Sequence, residues 1–350
     1  VQSAASLRAI DDALFVLTLD ESAPKSLSEV NNAFLHGDGS NRWFDKSFQL
    51  VVTANAKAAV NFEHSWGDGV AVLRYFNAVH DYAKLLPAHT AVTLRGTQPA
   101  HLVELDFSAL PEAVGQAVER ARERLGAHIR SMEVEVVESE AIGSSWAKAN
   151  KLSPDGLMQM TLQLAHYRLH GKAVSAYESA STAAFKHGRT ETIRAATPES
   201  LKMCLTFADP SASAIERDAA LRTAVATHSS VTRDCLMGKG VDRHLFALRA
   251  LSAELHGKPP AALDDETYQT YSEIILSTST LNSDALADGG FGPVGPRCYA
   301  AGYGIRAEGC RYVLRSERKD VHELGRLILA SQVDIRDAVA RAGKGAGEGA

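Results

Sequence analysis

The sequence contains few cysteines, no long apolar run and no block of basic residues. Its four cysteines are scattered, without the short paired spacing of a zinc site, and they are too few for a secreted disulfide framework in 350 residues. No apolar run approaches the roughly 20 residues that span a bilayer. With a formal net charge of -5 and no lysine and arginine block, the chain is not expected to bind nucleic acid. We expect a globular protein of a reducing compartment.

The sequence also begins with neither a methionine nor a basic, apolar signal sequence, so we expect the whole protein to have an N-terminal part that this sequence lacks. What is present is 45% hydrophobic and 23% charged, which is a globular composition. A chain of this length can bury a large core, either as two domains or as one large layered domain.

The first hundred residues predict strands followed by a helix. Residues 13–20 (ALFVLTLD) are typical of a buried strand, and residues 48–53 and 58–63 predict a β-hairpin. Residues 68–86 have apolar positions near a 3.6-residue period, with Asp68 and Gly69 at the head of the predicted helix. His64 therefore lies just past a strand end, on a turn that leads into a helix.

The rest of the chain alternates between helices and strands. Residues 87–99 are the predicted linker, and residues 101–107 begin a second α/β run. Ser153 is a good N-cap, Pro154 suits the first helical position and Gly171 closes the far end of a helix. The further predicted elements are helices at 111–130, 197–208, 212–237, 242–256 and 320–342, and strands at 132–138, 271–280, 297–305 and 310–315.

The segment FEHSWGDG (62–69) places a base candidate near a carboxylate. Imidazole suits general-base work because its unperturbed pKa, about 6.5, is close to working pH. A histidine at a strand end is more often structural, and Asp68 alone would be an N-cap. No Gly-x-Ser-x-Gly nucleophile motif accompanies His64. If His64 is catalytic, direct transfer between two bound substrates fits better than a covalent acyl-enzyme.

A second weak signal precedes the helix that begins at Pro154. Lys148 and Lys151 lie before a capped helix N-terminus, whose N–H groups and dipole favour phosphate. Lysines in such places are usually only solvated. The residues by themselves leave both interpretations open.

Six segments occur in the order found in the carnitine acyltransferase family, and the sequence resembles that family from about residue 5 to about residue 340. They are NRWFDK (41–46), FEHSWGDG (62–69), KLSPD (151–155), YESASTAAFKHGRTETIR (177–194), DRHLFALR (242–249) and STSTL (277–281). Members carry a large additional N-terminal segment, so this chain resembles the C-terminal portion of one. The implied fold class is α/β, the mixed-sheet, two-domain architecture of coenzyme A-dependent, chloramphenicol acetyltransferase-like acyltransferases, incomplete at the N-terminus.

The resemblance implies four catalytic residues. His64 is the general base for the carnitine hydroxyl or the coenzyme A thiol, and Asp68 supports it while facing Arg243. Without the resemblance, Arg243 would be read as part of a surface ion pair, which contributes little. The second serine of STST, Ser279, is expected to donate a hydrogen bond to the tetrahedral oxyanion, although STST could also be an ordinary strand end.

Carnitine is a zwitterion, and the resemblance implies a site for each of its charges. Tyr177, Ser179 and Thr190 are expected to hold the carboxylate, Ser277 to line the same pocket, and Phe291 to lie near the trimethylammonium group. Thr190 and Arg243 also separate the carnitine branch from the choline branch of the family, because choline lacks the carboxylate.

The coenzyme A site and the acyl tunnel follow from the same resemblance. Coenzyme A is expected to contact Lys148, Lys151, Ser153 and Asp155, while Ser144 occupies a usual lysine position, which suggests weaker binding or compensation by Lys151. Gly289 and Gly290 are expected to leave an acyl tunnel open, and Trp66 and Asp68 also resemble the long-chain type. Each buried methylene contributes roughly 0.8 kcal/mol. The alternative for Gly289 is a turn glycine with positive φ.

These residues predict a long-chain carnitine O-acyltransferase of fatty acid metabolism. The predicted domains are a partial one at 1–100 with the catalytic histidine, a second acyltransferase-like one at 101–342, and a flexible tail at 343–350. The alternatives are a medium- or short-chain carnitine transferase, or an inactive acyl-CoA-binding portion.

The predicted partners are carnitine and acyl-CoA, with coenzyme A and acyl-CoA as substrates, no permanently bound cofactor and no metal. The resemblance also implies a monomer with peripheral membrane association. In a eukaryote its place would be the matrix side of the mitochondrial inner membrane, and in a bacterium, which the alanine-rich sequence also allows, the cytoplasm.

Overall fold

The computed structural model describes residues 2–86, 103–107 and 110–347. The chain divides into two compact units: the first is Val1–Ser131 with Ser283–Leu286, and the second is Met132–Asn282 with Ala287–Ala350. The units thus divide after Ser131, whereas the sequence placed a domain boundary at residue 100. The predicted linker at 87–99 lies outside the described residues.

The first unit contains a three-stranded sheet and four helices among its described residues. Its elements are α1 (Gln2–Asp12), β1 (Val16–Asp20), α2 (Leu27–Leu35), β2 (Phe48–Thr53), β3 (Ala58–Phe62), α3 (Gly69–Leu85) and α4 (Glu112–Ser131). The sheet order is β1-β2-β3, with β1 parallel to β2. Strands β2 and β3 are antiparallel, with Phe48 opposite Phe62 and Val52 opposite Ala58, which confirms the predicted hairpin.

Strand β1 is less buried than its apolar sequence predicts. Leu17 is 54% exposed and Leu19 is 73% exposed, whereas Thr18 between them is buried. Because side chains alternate along a strand, both leucines lie on one face of this edge strand and Thr18 on the other. The prediction of a buried strand was therefore wrong for one of the two faces.

Helix α4 confirms the predicted helix at 111–130 and explains why the first unit extends to Ser131. Gly39 has a φ of +81°, and a Cβ placed on it would lie 2.2 Å from the Cδ2 atom of Leu125 in α4. Only glycine combines that conformation with this close approach. Residues 103–107 have no regular secondary structure, so the predicted α/β run does not begin there.

The second unit contains a six-stranded mixed sheet with the order β4-β9-β8-β7-β5-β6, in which β7 runs parallel to β5 and β8 and the other pairs are antiparallel. Its elements are β4 (Glu133–Ser139), α5 (Ser144–Ala149), α6 (Pro154–His170), β5 (Ala176–Ser181), β6 (Thr190–Ile193), α7 (Pro198–Ala208), α8 (Ala214–Leu236), α9 (Asp242–His256), α10 (Ala261–Asp264), α11 (Glu266–Ser272), β7 (Leu276–Thr280), β8 (Tyr299–Ile305), β9 (Cys310–Ser316) and α12 (Val321–Gly347).

Helix α6 is the central helix of the second unit. The Ser153 hydroxyl accepts a hydrogen bond from the N–H of Gly156, Pro154 begins the helix and Gly171 ends it with a φ of 68°, all as predicted. Every residue from 156 to 166 is buried. A helix that is buried all round belongs to a core, and α6 is part of the larger hydrophobic cluster of this unit.

Two boundaries in the second unit differ from the prediction. Tyr271 and Ser272 end α11, so the strand predicted at 271–280 begins only at Leu276. Helix α12 continues past Ala342 to Gly347, because glycine lowers helix stability by only about 1 kcal/mol per residue and need not stop a long helix. Of the predicted flexible tail, residues 343–347 are thus helical, and 348–350 lie outside the described residues. Across the described chain, no helix is both long and apolar enough to cross a membrane.

Candidate active site

His64 lies on the turn between β3 and α3, as predicted. The Glu63 carboxylate accepts hydrogen bonds from the N–H and the hydroxyl of Ser65, each at 2.7 Å. The Trp66 indole Nε1–H donates to the carbonyl of Ser47 at 2.8 Å. Local hydrogen bonds on both sides of His64 therefore fix the shape of this turn.

The His64 ring lies between an aromatic ring and a carboxylate. Its Nδ1 is 3.7 Å from Oδ1 of Asp68, and 68% of its side chain is exposed. The ring centroids of Phe62 and His64 are 5.2 Å apart. Asp68 has the N-cap position of α3, but its side chain makes no capping hydrogen bond. The carboxylate thus faces the imidazole at ion-pair distance and not the helix backbone.

Polar residues that are buried or half-buried hold the strand before this turn. The Asn61 amide donates to the carbonyls of Phe34 at 3.0 Å and Leu35 at 2.9 Å, and its oxygen accepts from Gln49 at 3.2 Å. Arg42, from the NRWFDK segment, is fully buried and lies 2.8 Å from the Asp20 carboxylate. Sequence reasoning gave these residues no role, because their partners lie 12 to 27 positions away.

Strands β5, β7 and β8 bring several predicted residues side by side in the second unit. Tyr177 of β5 is opposite Ser277 of β7, and Ser279 is opposite Gly302 of β8. Neighbours across a sheet point to the same side. The register therefore puts the residues predicted for the carboxylate and for the oxyanion on adjacent strands.

The direction of these side chains follows from the residues between them. Thr278 accepts a hydrogen bond from Gln159 of α6, so it faces that helix. Glu178 bonds His228 of α8 and faces the helices as well. By strand alternation, Tyr177, Ser179, Ser277 and Ser279 point to the opposite side. We call this side, defined by those four residues, the site face.

Arg243 connects two predicted carnitine residues. Its guanidinium donates to the Tyr177 hydroxyl at 3.1 Å and to the Thr190 hydroxyl at 3.2 Å. It also lies 5.7 Å from the Tyr177 ring centre. Within the second unit, no described carboxylate pairs with this guanidinium. Asp68 belongs to the first unit, so its predicted pairing with Arg243 stays a prediction.

The hydroxyls of β7 alternate between bonded and unbonded. Thr278 donates to the carbonyl of Tyr177 at 2.8 Å, and Thr280 donates to the carbonyl of Tyr303 at 2.9 Å. In the part of the chain that the structure describes, no hydrogen bond engages the side chains of Ser277 and Ser279. Ser277 and Ser279 of the site face thus have hydrogen-bonding capacity that the described residues do not use.

The segment before Phe291 passes close to β8. A Cβ on Gly302 would lie 2.5 Å from the carbonyl oxygen of Gly289 and 3.5 Å from the Cα of Gly290, so Gly302 must lack a side chain. A Cβ on Gly289 would meet no atom within 4 Å, and its φ is not in the positive region. The alternative of a turn glycine with positive φ is therefore wrong for Gly289. Phe291 is half-buried.

The predicted coenzyme A residues surround the start of α6. Lys148 is in α5, whose first residue is Ser144, and Lys151 follows with a φ of 57°. A cleft of about 340 Å³ lies beside this turn, and its lining residues are Lys151, Leu152, Ser153, Arg222, Val225, Ala226 and Ser229. Arg222 pairs with Asp218 at 2.9 Å and donates to the carbonyl of Asn150 at 3.0 Å. This cleft has basic residues beside a capped helix N-terminus.

Asp155 points elsewhere than the other predicted coenzyme A residues. Its carboxylate accepts a hydrogen bond of 2.6 Å from Tyr303, whose side chain is buried. Ligand atoms of Asp155, Glu178 and His228 lie within 4.8 Å of one another, and these three residues could hold a metal ion. Sequence reasoning missed Glu178 and His228, because nothing in the sequence shows that residues 50 positions apart touch.

Burial and mutual contact change the acid–base behaviour of this group. Burial raises the pKa of Glu178 to about 7, and the nearby Asp155 charge adds to the effect. Burial alone would lower the pKa of His228, but the hydrogen bond and charge of Glu178 outweigh it and raise that pKa. The group therefore retains protons near neutral pH.

Comparison with known proteins gives one family and several relatives. The family model for choline/carnitine O-acyltransferase matches residues 1–329. Carnitine O-palmitoyltransferase 2, mitochondrial, of Mus musculus is 40% identical over 330 residues, which are 91% of this chain and 49% of that protein. Choline O-acetyltransferase of Rattus norvegicus is 33% identical over 349 residues, which cover 95% of this chain and 54% of that protein. Among solved structures, the first condensation domain of the CDA synthetase has a TM-score of 0.48 at 11% identity. The match covers 94% of this chain and 77% of that one.

The chain spans about half the length of the relatives that it matches. The family model nevertheless covers nearly the whole chain, including the His64 turn, the site face and the start of α6. The chain belongs to the choline/carnitine O-acyltransferase family.

Proposed function

We propose that this chain is a carnitine O-palmitoyltransferase that moves a long-chain acyl group between coenzyme A and carnitine by direct transfer. The observation that carries the proposal is the arrangement around Arg243 on the site face. A guanidinium holds the Tyr177 and Thr190 hydroxyls there, and Ser277 and Ser279 nearby have side chains that no described residue hydrogen-bonds. This is a cationic, donor-rich site for a small carboxylate.

The same arrangement favours carnitine over choline as the acceptor. Both molecules have a trimethylammonium group, but only carnitine has a carboxylate. Choline would leave the Arg243 guanidinium without a counter-charge, whereas the carnitine carboxylate adds a charge-assisted hydrogen bond to it. We infer that Arg243, Tyr177, Ser179 and Thr190 bind the carboxylate, while Ser277 lines the pocket and Phe291 contacts the trimethylammonium group.

His64 acts as the general base in the proposed reaction. Its Nδ1 is beside Asp68, so the other nitrogen, Nε2, takes the proton from the carnitine hydroxyl. The carnitine oxygen attacks the thioester carbonyl, and Ser279 donates a hydrogen bond to the oxyanion. The carbon–sulfur bond then breaks, and the sulfur leaves with the proton from His64. The reverse direction starts from the coenzyme A thiol.

Coenzyme A would bind at the start of α6. Lys148 and Lys151 supply charge for its phosphates, and the N-terminus that Ser153 caps supplies backbone donors. Ser144 replaces one charge with a hydroxyl, for which Lys151 compensates. One Asp155 oxygen accepts from Tyr303, so this residue would reach coenzyme A only through its remaining oxygen.

Gly289 supports the choice of a long acyl chain. The space that its side chain would occupy is open, and its backbone conformation does not require glycine. A tunnel that passes this open space would favour long chains, since each buried methylene contributes roughly 0.8 kcal/mol. The protein would act as a monomer with peripheral membrane association, at the matrix face of the mitochondrial inner membrane in a eukaryote or in the cytoplasm of a bacterium.

The deciding experiment mixes the purified chain with palmitoyl-CoA and carnitine and measures free thiol. We expect carnitine-dependent thiol release, which His64→Ala lowers about 10²- to 10⁴-fold. His80→Ala is the matched control, since His80 in α3 also has a carboxylate near its Nδ1, at 3.6 Å from Asp81. Substantial thiol release by the His64→Ala variant would contradict the role of the base.

The same assay separates the two alternatives. Binding of palmitoyl-CoA without thiol release would identify a portion that binds acyl-CoA without turning it over. A series from acetyl-CoA to palmitoyl-CoA would identify a short- or medium-chain enzyme by its optimum. If the tunnel is open at Gly289, Gly289→Met lowers activity on palmitoyl-CoA and leaves activity on acetyl-CoA nearly unchanged.

A further inference from the structure

A chain of buried polar side chains lies behind the site face, between the sheet and helices α6 and α8. We call it the buried polar network; its members are Asp155, Gln159, Glu178, His228, Thr278 and Tyr303. All but Asp155 are at most 4% exposed. Polar groups in such a place are unfavourable unless they are hydrogen-bonded. Six of them in contact behind one face of a sheet call for a reason beyond packing.

The contacts within the network run from helix to strand. The Tyr303 hydroxyl donates to Asp155 at 2.6 Å and accepts from Gln159 at 3.0 Å. The same Gln159 amide donates to Thr278 at 2.9 Å, and Thr278 donates to the carbonyl of Tyr177 at 2.8 Å. These bonds join the first turns of α6 to strands β5, β7 and β8.

The remaining bond of the network joins β5 to α8. His228 Nε2 and Glu178 Oε2 are 2.7 Å apart, and both side chains are almost fully buried. The Asp155 carboxylate lies close to both of them, since the ligand atoms of the three residues are within 4.8 Å of one another. The network thus joins α6 to strands β5, β7 and β8, and α8 to β5.

Each strand member of the network is next in sequence to residues of the site face or to Gly302, which is opposite Ser279. Glu178 lies between Tyr177 and Ser179, Thr278 lies between Ser277 and Ser279, and Tyr303 follows Gly302. Because side chains alternate along a strand, a residue fixed behind the sheet also fixes its neighbours in front. Directional hydrogen bonds set that position more narrowly than apolar packing does.

We propose that the buried polar network positions the site face. It fixes the strands that carry Tyr177, Ser277 and Ser279, so that these side chains reach the substrate, and it does not contact the substrate itself. The expected effect on turnover rests on the proposed function, whereas the expected effect on amide exchange in the strands does not. Misplacement of a catalytic group by about 1 Å can lower a rate about 100-fold. Tyr303 is the critical member, since its hydroxyl connects Asp155 with Gln159.

The test compares two buried tyrosines, of which Tyr303 belongs to the buried polar network and Tyr312 does not. Tyr303→Phe removes one hydroxyl from the network. Tyr312→Phe removes a hydroxyl from β9, where Tyr312 is fully buried and bonds Gln332 at 3.3 Å. We expect Tyr303→Phe to lower kcat about 10-fold and to raise the KM for carnitine about threefold. Tyr312→Phe should change each less than twofold, even if it lowers the melting temperature as much.

A second readout does not depend on activity. By hydrogen exchange, Tyr303→Phe should speed amide exchange in peptides that cover 176–181 and 276–280, whereas Tyr312→Phe should affect 310–316. Equal effects of the two variants on both strands and on kcat would overturn the proposal. An inactive wild-type chain would defeat the proposed function and leave the exchange comparison decisive.

Thr278 provides a variant with a conservative rescue. Thr278→Val removes the hydroxyl that bonds Gln159 and Tyr177, and it should reproduce the exchange and kinetic effects of Tyr303→Phe. Thr278→Ser retains the hydroxyl and should stay within twofold of wild type. If valine and serine behave alike at this position, packing and not hydrogen bonding fixes the strand, and the proposal fails.

Discussion

The two compact units hold their candidate residues in different ways. In the first unit, His64 is 68% exposed on a turn, and single hydrogen bonds such as that of Trp66 to Ser47 hold the turn. In the second unit, Tyr177 and Ser277 are paired across a sheet, and that sheet is backed by buried helices. The base is thus fixed locally, whereas the donors are fixed by the whole sheet.

The two units also differ in how much apolar surface they bury. Among the described residues, both clusters of buried hydrophobic side chains belong to the second unit. The buried residues of the first unit include Arg42, Gln49 and Asn31, and its few buried apolar residues include Val51 and Val72. Because apolar burial is the dominant stabilising term, substitutions in the second unit should cost more stability than those in the first.

The largest expected difference in stability between the units is that between one leucine of each unit. Leu162 of α6 is fully buried, whereas Leu19 of β1 is 73% exposed. Leu162→Ala should lower the free energy of unfolding by about 2 to 5 kcal/mol, because it leaves a cavity. Leu19→Ala should change it by less than about 0.5 kcal/mol. Urea denaturation followed by circular dichroism measures both, and similar losses would erase the contrast between the units.

The largest expected effect on turnover after that of His64 comes from the site face. Ser279→Ala should lower kcat about 10²- to 10³-fold, because it removes a donor to the oxyanion. Ser277→Ala is the neighbouring control on β7. It should mainly raise the KM for carnitine, since Ser277 is paired with Tyr177. Steady-state kinetics with palmitoyl-CoA separates the two effects, and an unchanged kcat in Ser279→Ala would exclude the oxyanion role.

Local signals in the sequence predicted most of the elements. The Ser153 cap, Pro154 and Gly171 defined α6 to the residue, and the hairpin of β2 and β3 followed from its strand-type residues. The order of six short segments also predicted the family, which the family model confirms. Signals of this kind are readable because each depends on residues close together in the chain.

Contacts between distant residues were not predictable in the same way. The sequence suggested no role for Glu178, yet it is buried against His228, which is 50 positions further on. Leu17 and Leu19 looked buried, but the apolar sequence of β1 does not show that one face of the strand stays exposed. Tertiary packing, and not local propensity, decided these cases.

The pH dependence of stability should report the buried Glu178–His228 pair of the second unit. The pKa of Glu178 is raised from 4.5 to about 7, and that of His228 is raised from 6.5. The folded chain therefore binds more protons than the unfolded chain, so this stabilisation is full below about pH 4.5 and is lost as the pH rises through 7 and above. Each proton contributes a slope of at most about 1.4 kcal/mol per pH unit.

Urea denaturation from pH 5 to pH 8 measures that slope. Glu178→Gln should flatten the decline, whereas Glu138→Gln on β4 should leave it intact, because hydrogen bonding to Arg311 lowers the pKa of Glu138. An equally steep decline in Glu178→Gln would show that other groups cause it.

The smallest expected effect tests how the first unit holds its base. The Trp66 side chain is 45% exposed, and its indole N–H donates to Ser47 beside the His64 turn. Trp66→Phe keeps an aromatic ring and removes that bond, which is worth about 1 kcal/mol, so kcat should fall about fivefold. Trp43→Phe in the same unit should change kcat less than twofold, because the described residues hydrogen-bond only the backbone of Trp43, through Gln49 and Lys46. A loss of several hundredfold in Trp66→Phe would show that the His64 turn is as tightly constrained as the site face.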